Sequence, residues 1–188
     1  MTDLSDAALV ARVRSGNHQA FGVLVERYQN RMLAYVRHMG FSEPEALDVV
    51  QDGFVRAYRH LGRCGDPERF DGWLFRIVSN VCRTAGSRRA KRAAEPLEAH
   101  QSRLISEAPS PDEQAEACRL REVVEAALDA LPPDQREALV LMYTEGYSVD
   151  EIAEMTGASR SAVKMRLKRG RDALKVELAP LVQEVGEP

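Results

Sequence analysis

Six lysine and arginine side chains, and no acidic one, lie within residues 158–171, whose sequence is ASRSAVKMRLKRGR. The whole chain is acidic by contrast, with a formal net charge of -3 and a pI of about 5.9. Cationic side chains at this density bind phosphate oxygens, and they also donate hydrogen bonds to the edges of bases. The segment therefore indicates recognition of nucleic acid, although a basic run alone is also compatible with a solvated helix face.

Two short helices joined by a tight turn are predicted to position this segment. Ser148 and Glu151 have the spacing of a capping box, which starts a helix. Ala153 is small, as two closely crossing helices require, and Gly157 lies where a tight turn needs a positive φ. Ser159 can cap the second helix. The apolar contact between the two helices is expected from Ile152, Val163 and Leu167. Together these features predict a helix-turn-helix, which lays its second helix in the major groove of DNA.

The exposed side of the second helix is expected to carry the DNA contacts. Side chains near its N-terminal end, beginning with Arg160, are placed to meet base edges. Lys168 and the arginines beyond it suit phosphates. The predicted contact residues are Ser159, Arg160, Ser161, Lys164, Met165, Lys168, Arg169 and Arg171.

Charge and composition divide the 188 residues into three parts. Residues 1–92 carry 15 basic and 10 acidic side chains, residues 93–118 carry 1 and 6, and residues 119–188 carry 10 and 13. The middle part has three prolines and no helical periodicity, which is typical of a flexible linker. Both flanks show helical periodicity and no strand-like alternation. The sequence therefore predicts an all-α chain of two small helical domains, 1–92 and 119–188, joined by an acidic linker at 93–118.

A predicted helix over residues 47–61 has two different faces. One face is apolar and is expected to be core: Leu47, Val50, Phe54, Ala57, Tyr58 and Leu61. The other face carries Asp48, Gln51, Asp52, Val55, Arg56 and Arg59. This second face is either a solvated surface with intrahelical ion pairs such as Asp52–Arg56, or a docking face for a helix of another protein.

The predicted helix that begins at Phe70 also has two stripes. The buried stripe is expected to be Phe70, Leu74, Ile77, Val78 and Val81. The second stripe, Trp73, Arg76, Asn80 and Arg83, combines an aromatic ring with basic and amide groups, which suits an unstacked base beside a phosphate backbone. Trp73 is equally compatible with a supporting role in the core. Arg88 and Arg89 follow and suit duplex phosphates, and Gly86 is expected to end or bend the helix.

Four segments resemble bacterial sigma factors of the extracytoplasmic-function (ECF) group, in their order and spacing. They are AFGVLVERYQNRMLAYV, DVVQDGFVRAYRHL, FDGWLFRIVSNV and LPPDQREALVLMYTEGYSVDEIAEMTGASRSAVKMRLKRGRDAL. One stretch, SNVCRTAGSRRAKR, departs from the family pattern, because Cys82, Thr84 and Gly86 stand where members show a more regular helix.

The resemblance implies an alternative sigma factor that binds core RNA polymerase and directs transcription initiation. Region two would dock on the polymerase clamp helices through Asp48, Gln51, Asp52, Val55, Arg56 and Arg59. It would also melt the minus-10 element, and a flipped base would enter a pocket between the loop at 64–70 and the helix bearing Asn80. The minus-10 residues are then Asp66, Phe70, Trp73, Arg76, Asn80, Arg83, Arg88 and Arg89. Region four would read the minus-35 element through the helix-turn-helix.

The resemblance also implies partners and a mode of control. The linker would pass through the polymerase toward its RNA exit path. An anti-sigma factor would hold the protein inactive until a stress or envelope signal arrives, and the free protein is expected to be a monomer.

Two other functions are compatible with a helix-turn-helix. A stand-alone regulator would use residues 1–92 to bind a ligand or to dimerise, and it would bind a palindrome. An enzyme acting on DNA, such as a recombinase, would need a nucleophile or a carboxylate–metal cluster. Asp48 and Asp52 share a helix face, but no grouping of Ser, Tyr or His joins them. We therefore expect no catalytic residue and no cofactor.

The remaining reactive residues are three cysteines, Cys64, Cys82 and Cys118. An odd, sparse set does not predict a disulfide framework. His60, Cys64 and Cys82 could share a zinc ion, although no CxxC supports such a site. No apolar run approaches the roughly 20 residues of a membrane span, and residues 1–10 lack the pattern of a signal peptide. We expect a cytoplasmic protein.

Overall fold

The structure is a computed structural model that describes residues 4–94 and 123–185. All regular secondary structure in these two stretches is helical, and the helices form two compact units, one made mainly of the first stretch and the other mainly of the second. The predicted all-α fold class is thereby confirmed. Most of the predicted linker and Cys118 lie outside the described residues. Within the described part of the chain, no helix is long and apolar enough to cross a membrane.

The first unit contains four α-helices and two short 3-10 helices. The elements are α1 (Asp6–Arg14), α2 (Gln19–His38), α3 (Glu43–His60), the 3-10 helices Leu61–Arg63 and Pro67–Arg69, and α4 (Phe70–Ala94). Ser42 and Glu45 cap α3, because the Ser42 N–H and hydroxyl both donate to Glu45 Oε2, at 2.9 and 2.7 Å. Pro44 lies in the first turn of α3, where its fixed φ suits the helix and its missing N–H costs no hydrogen bond.

Aromatic rings form the centre of the first unit. The Tyr35 and Phe75 rings pack edge-on with 5.4 Å between centroids, and the Phe70 ring lies 5.6 Å from that of Tyr28. A hydrogen bond connects α1 and α2, because the Asp6 carboxylate accepts from the Tyr28 hydroxyl. Burial of Tyr28 and this bond to Asp6 raise the pKa of the Tyr28 hydroxyl well above its ordinary value.

The buried face of α3 is rotated from the predicted one. α3 buries Ala46, Val49, Val50, Gly53, Phe54 and Ala57. Leu47 and Tyr58, which were predicted to be core, are 51% and 39% exposed. The cause is the close approach of α4, since a Cβ on Gly53 would lie 2.8 Å from Cγ2 of Val78. Small residues at this contact bring that side of α3 against α4, and Leu47 and Tyr58 turn outward.

α4 runs as one helix from Phe70 to Ala94, so it does not end at Gly86. A glycine costs about 1 kcal/mol in a helix interior, which is too little to end this helix, and Arg89 beyond it still pairs with Glu45 of α3. A Cβ on Gly86 would approach only Phe41, at an ordinary contact distance of 3.8 Å. The helix passes the predicted domain boundary at residue 92 and includes Ala94.

The second unit is also helical. Its elements are α5 (123–129), α6 (Pro133–Leu139), a π-helical turn (Val140–Thr144), α7 (Val149–Thr156) and α8 (Arg160–Val185). The expectation of a second short helix is wrong, because α8 has 26 residues. Strong helix formers follow the basic segment and continue the helix. Gly170 lets α6 approach closely, since a Cβ there would lie 2.8 Å from Cδ1 of Leu139.

Candidate nucleic-acid and polymerase interfaces

α7, the turn after it and the first part of α8 form the predicted helix-turn-helix. The Ser148 N–H donates to Glu151 Oε2 at 2.9 Å, and the Glu151 N–H donates to Ser148 Oγ at 3.3 Å, so the capping box is confirmed. Gly157 ends α7 with a φ of 68°. Ser159 caps α8, because its Oγ accepts from the Ala162 N–H at 3.2 Å. The predicted apolar contact is buried: Ile152, Val163 and Leu167.

These internal contacts leave the other side of α8 open to solvent. All the predicted minus-35 residues are exposed: Ser159, Arg160, Ser161, Lys164, Met165, Lys168, Arg169 and Arg171. Met165 is 48% exposed and offers an apolar group of the kind that contacts a thymine methyl. Arg166, the remaining basic residue of the segment, instead pairs with Asp134 of α6 at 3.1 Å. Five of the six cations of this segment therefore lie on the solvent face, and the sixth, Arg166, forms an ion pair with α6.

Asp150 is a neighbour of this face that the sequence analysis missed. Its Oδ1 lies 2.5 Å from Nε of Arg160, so the arginine predicted to meet bases is held by a carboxylate of α7. The two residues lie on different helices and meet only after the turn has formed. Asp150 also lies in the first turn of α7, where the helix dipole favours a negative charge. The neighbouring sequence indicates this role of Asp150 but not its ion pair with Arg160.

Tyr143 extends the same face and was also missed. The residue is 60% exposed, and its hydroxyl accepts a hydrogen bond from Arg171 Nη1 at 3.2 Å. It belongs to the π-helical turn that precedes α7. An exposed hydroxyl beside a cation suits a phosphate oxygen, and elements before the recognition helix commonly cross the DNA backbone.

In the first unit, four of the predicted minus-10 residues share one side of α4. Trp73 is half-buried, whereas Arg76, Asn80 and Arg83 are exposed. The Trp73 ring lies 5.8 Å from the ring of Phe70, so one edge packs on the core while the rest reaches solvent. Phe70 is fully buried. Its ring therefore supports Trp73 from inside and is not accessible to a base, contrary to its place in the predicted contact set.

Arg88 and Arg89 lie on a different side of α4 and turn toward α3. Arg89 Nη1 is 3.6 Å from Glu45 Oε2, and the guanidinium lies 4.8 Å above the centre of the Phe41 ring. Arg88 lines a small cleft against the acidic side of α3. These two arginines face α3 and do not continue the stripe of Trp73.

The loop between α3 and α4 is held from a distant helix. Arg14, at the end of α1, donates from Nη2 to the Leu61 carbonyl at 2.9 Å and to the Cys64 carbonyl at 2.5 Å. The Cys64 thiol donates to the Asp66 carbonyl at 3.6 Å, and the Asp66 carboxylate accepts from the Glu68 N–H at 3.1 Å. Asp66 is exposed, as its predicted role requires. Nothing local in the sequence pointed to Arg14.

The predicted docking face of α3 lies in solvent. Asp48, Gln51, Val55, Arg56 and Arg59 are exposed, and Asp52 is half-buried. The predicted ion pair is present, since Asp52 accepts from Arg56 Nε at 3.0 Å and Nη2 at 2.8 Å. The hydrogen bond to Asp52 raises the pKa of Arg56 further. Both alternatives for this face are compatible with these contacts, because the pair leaves its outer side accessible.

An open apolar cleft of about 630 Å³ adjoins this face, between α2 and α3. Its lining includes Phe21, Val25, Leu33, Leu47, Val55 and Tyr58. The Tyr58 hydroxyl lies 2.7 Å from His18 Nδ1 at one end. Leu47 and Tyr58, the two residues misassigned to the core, thus join Val55 of the predicted face in one exposed apolar surface.

The candidate zinc ligands do not form a cluster. Among the residues that the structure describes, no group of three or more His, Cys, Asp and Glu is arranged to hold a metal ion. Cys64 and Cys82 are buried free thiols. Burial raises the pKa of the Cys64 thiol, which lowers the thiolate fraction that metals and oxidants require.

Comparison with known proteins matches each of the two units to a family of its own. Residues 24–92 match the family described as Sigma-70 region 2, and residues 121–174 match Sigma-70, region 4. The RNA polymerase sigma-H factor of Pseudomonas aeruginosa is 31% identical, over 98% of this chain and 99% of its own. The ECF RNA polymerase sigma-E factor of Escherichia coli K12 is 30% identical, over 96% of this chain and 97% of its own.

Solved structures give the same result. CnrH, in complex with the cytosolic domain of CnrY, is 34% identical with a TM-score of 0.68, and the match covers 94% of this chain and 99% of that chain. RpoE of Bartonella quintana, in complex with the anti-sigma factor NepR, shares the fold at 22% identity with a TM-score of 0.65, over 85% of this chain and 96% of that chain. From the helix-turn-helix, the region matches and these full-length similarities, the chain belongs to the ECF group of RNA polymerase sigma factors, which direct core polymerase to promoters.

Proposed function

We propose that this sigma factor reads a promoter at two separate surfaces and binds core RNA polymerase at a third. The single observation that carries the proposal is the capped helix-turn-helix, whose recognition face exposes all eight predicted contact residues. We assign that face to the minus-35 duplex, with Arg160, Ser161 and Lys164 toward base edges. Lys168, Arg169 and Arg171 are assigned to phosphates.

The minus-10 element is assigned to the stripe of α4 and the loop before it. The exposed edge of Trp73, the amide of Asn80 and the cation of Arg76 offer stacking, hydrogen bonding and phosphate binding to one unstacked nucleotide. Extruding a base costs a few kcal/mol, and these contacts together with polymerase contacts offset that cost. The reaction is strand separation coupled to recognition, so the protein forms no covalent intermediate with DNA.

Core polymerase is assigned to the exposed face of α3 and the adjoining apolar cleft. The apolar residues Leu47, Val55 and Tyr58 form a centre that a helix of the polymerase can cover, and the charges of Asp52 and Arg56 lie at its edge. An apolar centre with a polar rim is the usual anatomy of a protein interface. We place the protein in the cytoplasm because it acts with RNA polymerase.

A second protein is expected to control these surfaces. CnrH, the similar protein at 34% identity, was solved in complex with the cytosolic domain of CnrY. We infer that this chain is likewise held by a regulatory partner, an anti-sigma factor, which covers DNA- and polymerase-binding residues until a signal releases it.

Reconstituted transcription tests the proposal. The purified chain is added to core RNA polymerase, and transcript starts are mapped on genomic DNA, with core polymerase alone as the control. Specific starts that share two upstream elements are expected. A stand-alone regulator would instead bind a palindrome tightly without polymerase, and that result, together with no specific starts, would overturn the proposal.

A further inference from the structure

The loop at 61–69 contains no regular element longer than a single turn. Two glycines, Gly62 and Gly65, lie within it, and glycine gives a backbone the widest choice of conformations. Its regular structure is limited to two 3-10 helices of three residues each. A loop of this kind keeps one shape only when contacts from outside fix it.

Arg14 provides such a contact. One nitrogen of its guanidinium donates to two carbonyls of the loop, Leu61 and Cys64. The Leu61 carbonyl also accepts from the Cys64 N–H at 3.1 Å, so the arginine binds where the first 3-10 helix closes. Hydrogen bonds from a charged donor are about twice as strong as neutral ones. Leu61 and Cys64 are buried residues, which limits the access of water to this part of the backbone.

Arg14 is the last residue of α1, which packs on the rest of the first unit. α1 buries Leu9, Val10 and Val13 against the rest of the unit. Asp6 at its start accepts hydrogen bonds from Arg27 and Tyr28 of α2. Successive contacts therefore link α2 to α1, α1 to the loop, and the loop to the Asp66-capped 3-10 helix that precedes α4.

We propose that Arg14 is a positioning residue for minus-10 recognition, which holds the 61–69 loop in the shape that receives the flipped base. This inference rests on the assignment of the minus-10 element to that loop and α4. Arg14 does not touch DNA in this role. It acts through the backbone of the loop that carries Asp66.

Base discrimination at the minus-10 element tests the inference. The full chain and core polymerase are used on a promoter found by mapping transcript starts. Initiation is compared between the intact promoter and templates with one substituted base pair in the minus-10 or minus-35 element. Discrimination is the ratio of initiation on the two templates. Because both are measured with the same protein sample, an inactive fraction of the protein does not change the ratio. If the wild-type chain gives no specific start, the proposed function fails before Arg14 is examined.

Arg14→Met keeps the length of the side chain and removes the donors. It is expected to reduce minus-10 discrimination about 10-fold, the scale of a lost charge-assisted hydrogen bond, with minus-35 discrimination unchanged. Arg14→Lys keeps a charged donor and should retain most of the discrimination. Arg12→Met, on the same exposed last turn of α1, is the matched control and should match wild type.

Three results would overturn the inference. The first is full minus-10 discrimination in Arg14→Met. The second is an equal loss of minus-10 and minus-35 discrimination, which would show a general defect. The third is an Arg14→Met chain that is unfolded at the assay temperature by circular dichroism, because Arg14 would then serve the fold as a whole.

Discussion

Replacing Gly53 by alanine tests the contact that sets the rotation of α3. A Cβ at this position would lie 2.8 Å from Cγ2 of Val78 and 3.6 Å from its Cα and Cβ. Val78 is fully buried, and a β-branched residue in a helix has one strongly preferred χ1 rotamer. The neighbouring side chain therefore cannot swing aside, and either the helices separate or the contact stays compressed.

The expected magnitude follows from two opposing effects. Alanine is favoured over glycine in a helix interior by about 1 kcal/mol. Overpacking a core by one methyl group costs about 1–3 kcal/mol. Gly53→Ala is thus expected to lower the free energy of unfolding by about 1 kcal/mol. Gly86→Ala makes the same chemical change in α4 with its nearest contact at 3.8 Å, so it should raise that free energy by about 1 kcal/mol.

Fluorescence of Trp73 measures these changes in the first unit alone, because it is the single tryptophan of the chain. Denaturant titrations of wild type, Gly53→Ala and Gly86→Ala should give midpoints on opposite sides of the wild-type value. In a Val78→Ala background the clash is removed, and Gly53→Ala should then stabilise. If Gly53→Ala stabilises the native chain as much as Gly86→Ala does, the close α3–α4 contact is not the cause of the rotation.

Three further measurements address the surfaces and the capping box. Arg160→Ala should cost about 1–3 kcal/mol of minus-35 base discrimination, whereas Lys168→Ala should weaken all promoters alike and reduce the salt dependence of binding by about one phosphate contact; equal loss of discrimination in both would contradict the assignment. Asp52→Arg should weaken binding to core polymerase, measured as competition of the variant with the wild-type chain. Its stability should change little, because an exposed i,i+4 ion pair contributes only about 0.3–0.5 kcal/mol. If the variant competes as well as wild type, Asp52 does not belong to the interface. Burial would raise the pKa of Glu45, but hydrogen bonds from Ser42 and the charge of Arg89 hold it below its ordinary value. The folded state is therefore stabilised by ionised Glu45 above that ordinary value, and the contribution is lost as pH falls through the lowered pKa. Glu45→Gln keeps the side-chain acceptor of the capping box and removes only the charge, so it should be less stable than wild type by about 0.5 kcal/mol at neutral pH, and the difference should disappear in acid.

Local signals allowed the helix-turn-helix to be predicted from sequence. A capping box depends on residues three apart, and a turn that needs a positive φ selects glycine at one position. Ser148, Glu151 and Gly157 satisfy these requirements without help from the rest of the chain. The predicted and observed turns therefore agree.

The features that could not be predicted from the sequence depend on contacts between residues that are distant in the chain. The apolar periodicity of α3 was recognised, but its rotation depends on Gly53 meeting Val78 of another helix. The same limit hid the bond of Arg14 to the 61–69 loop and the pair of Asp150 with Arg160. Periodicity tells which residues share a face, whereas the partner helix determines which face is covered.

The rotation of α3 has a functional consequence. Burying Leu47 and Tyr58 would have left Val55 as the only large apolar side chain on the predicted docking face, and a polymerase could then bind mainly through polar and charged groups. The small residues at the α3–α4 contact instead leave Leu47, Val55 and Tyr58 exposed beside the Asp52–Arg56 pair. Apolar area supplies affinity, and charges at the rim supply orientation and association rate. We infer that the same glycine that packs α3 on α4 also creates the surface on which polymerase docks, so the two properties should change together in Gly53 variants.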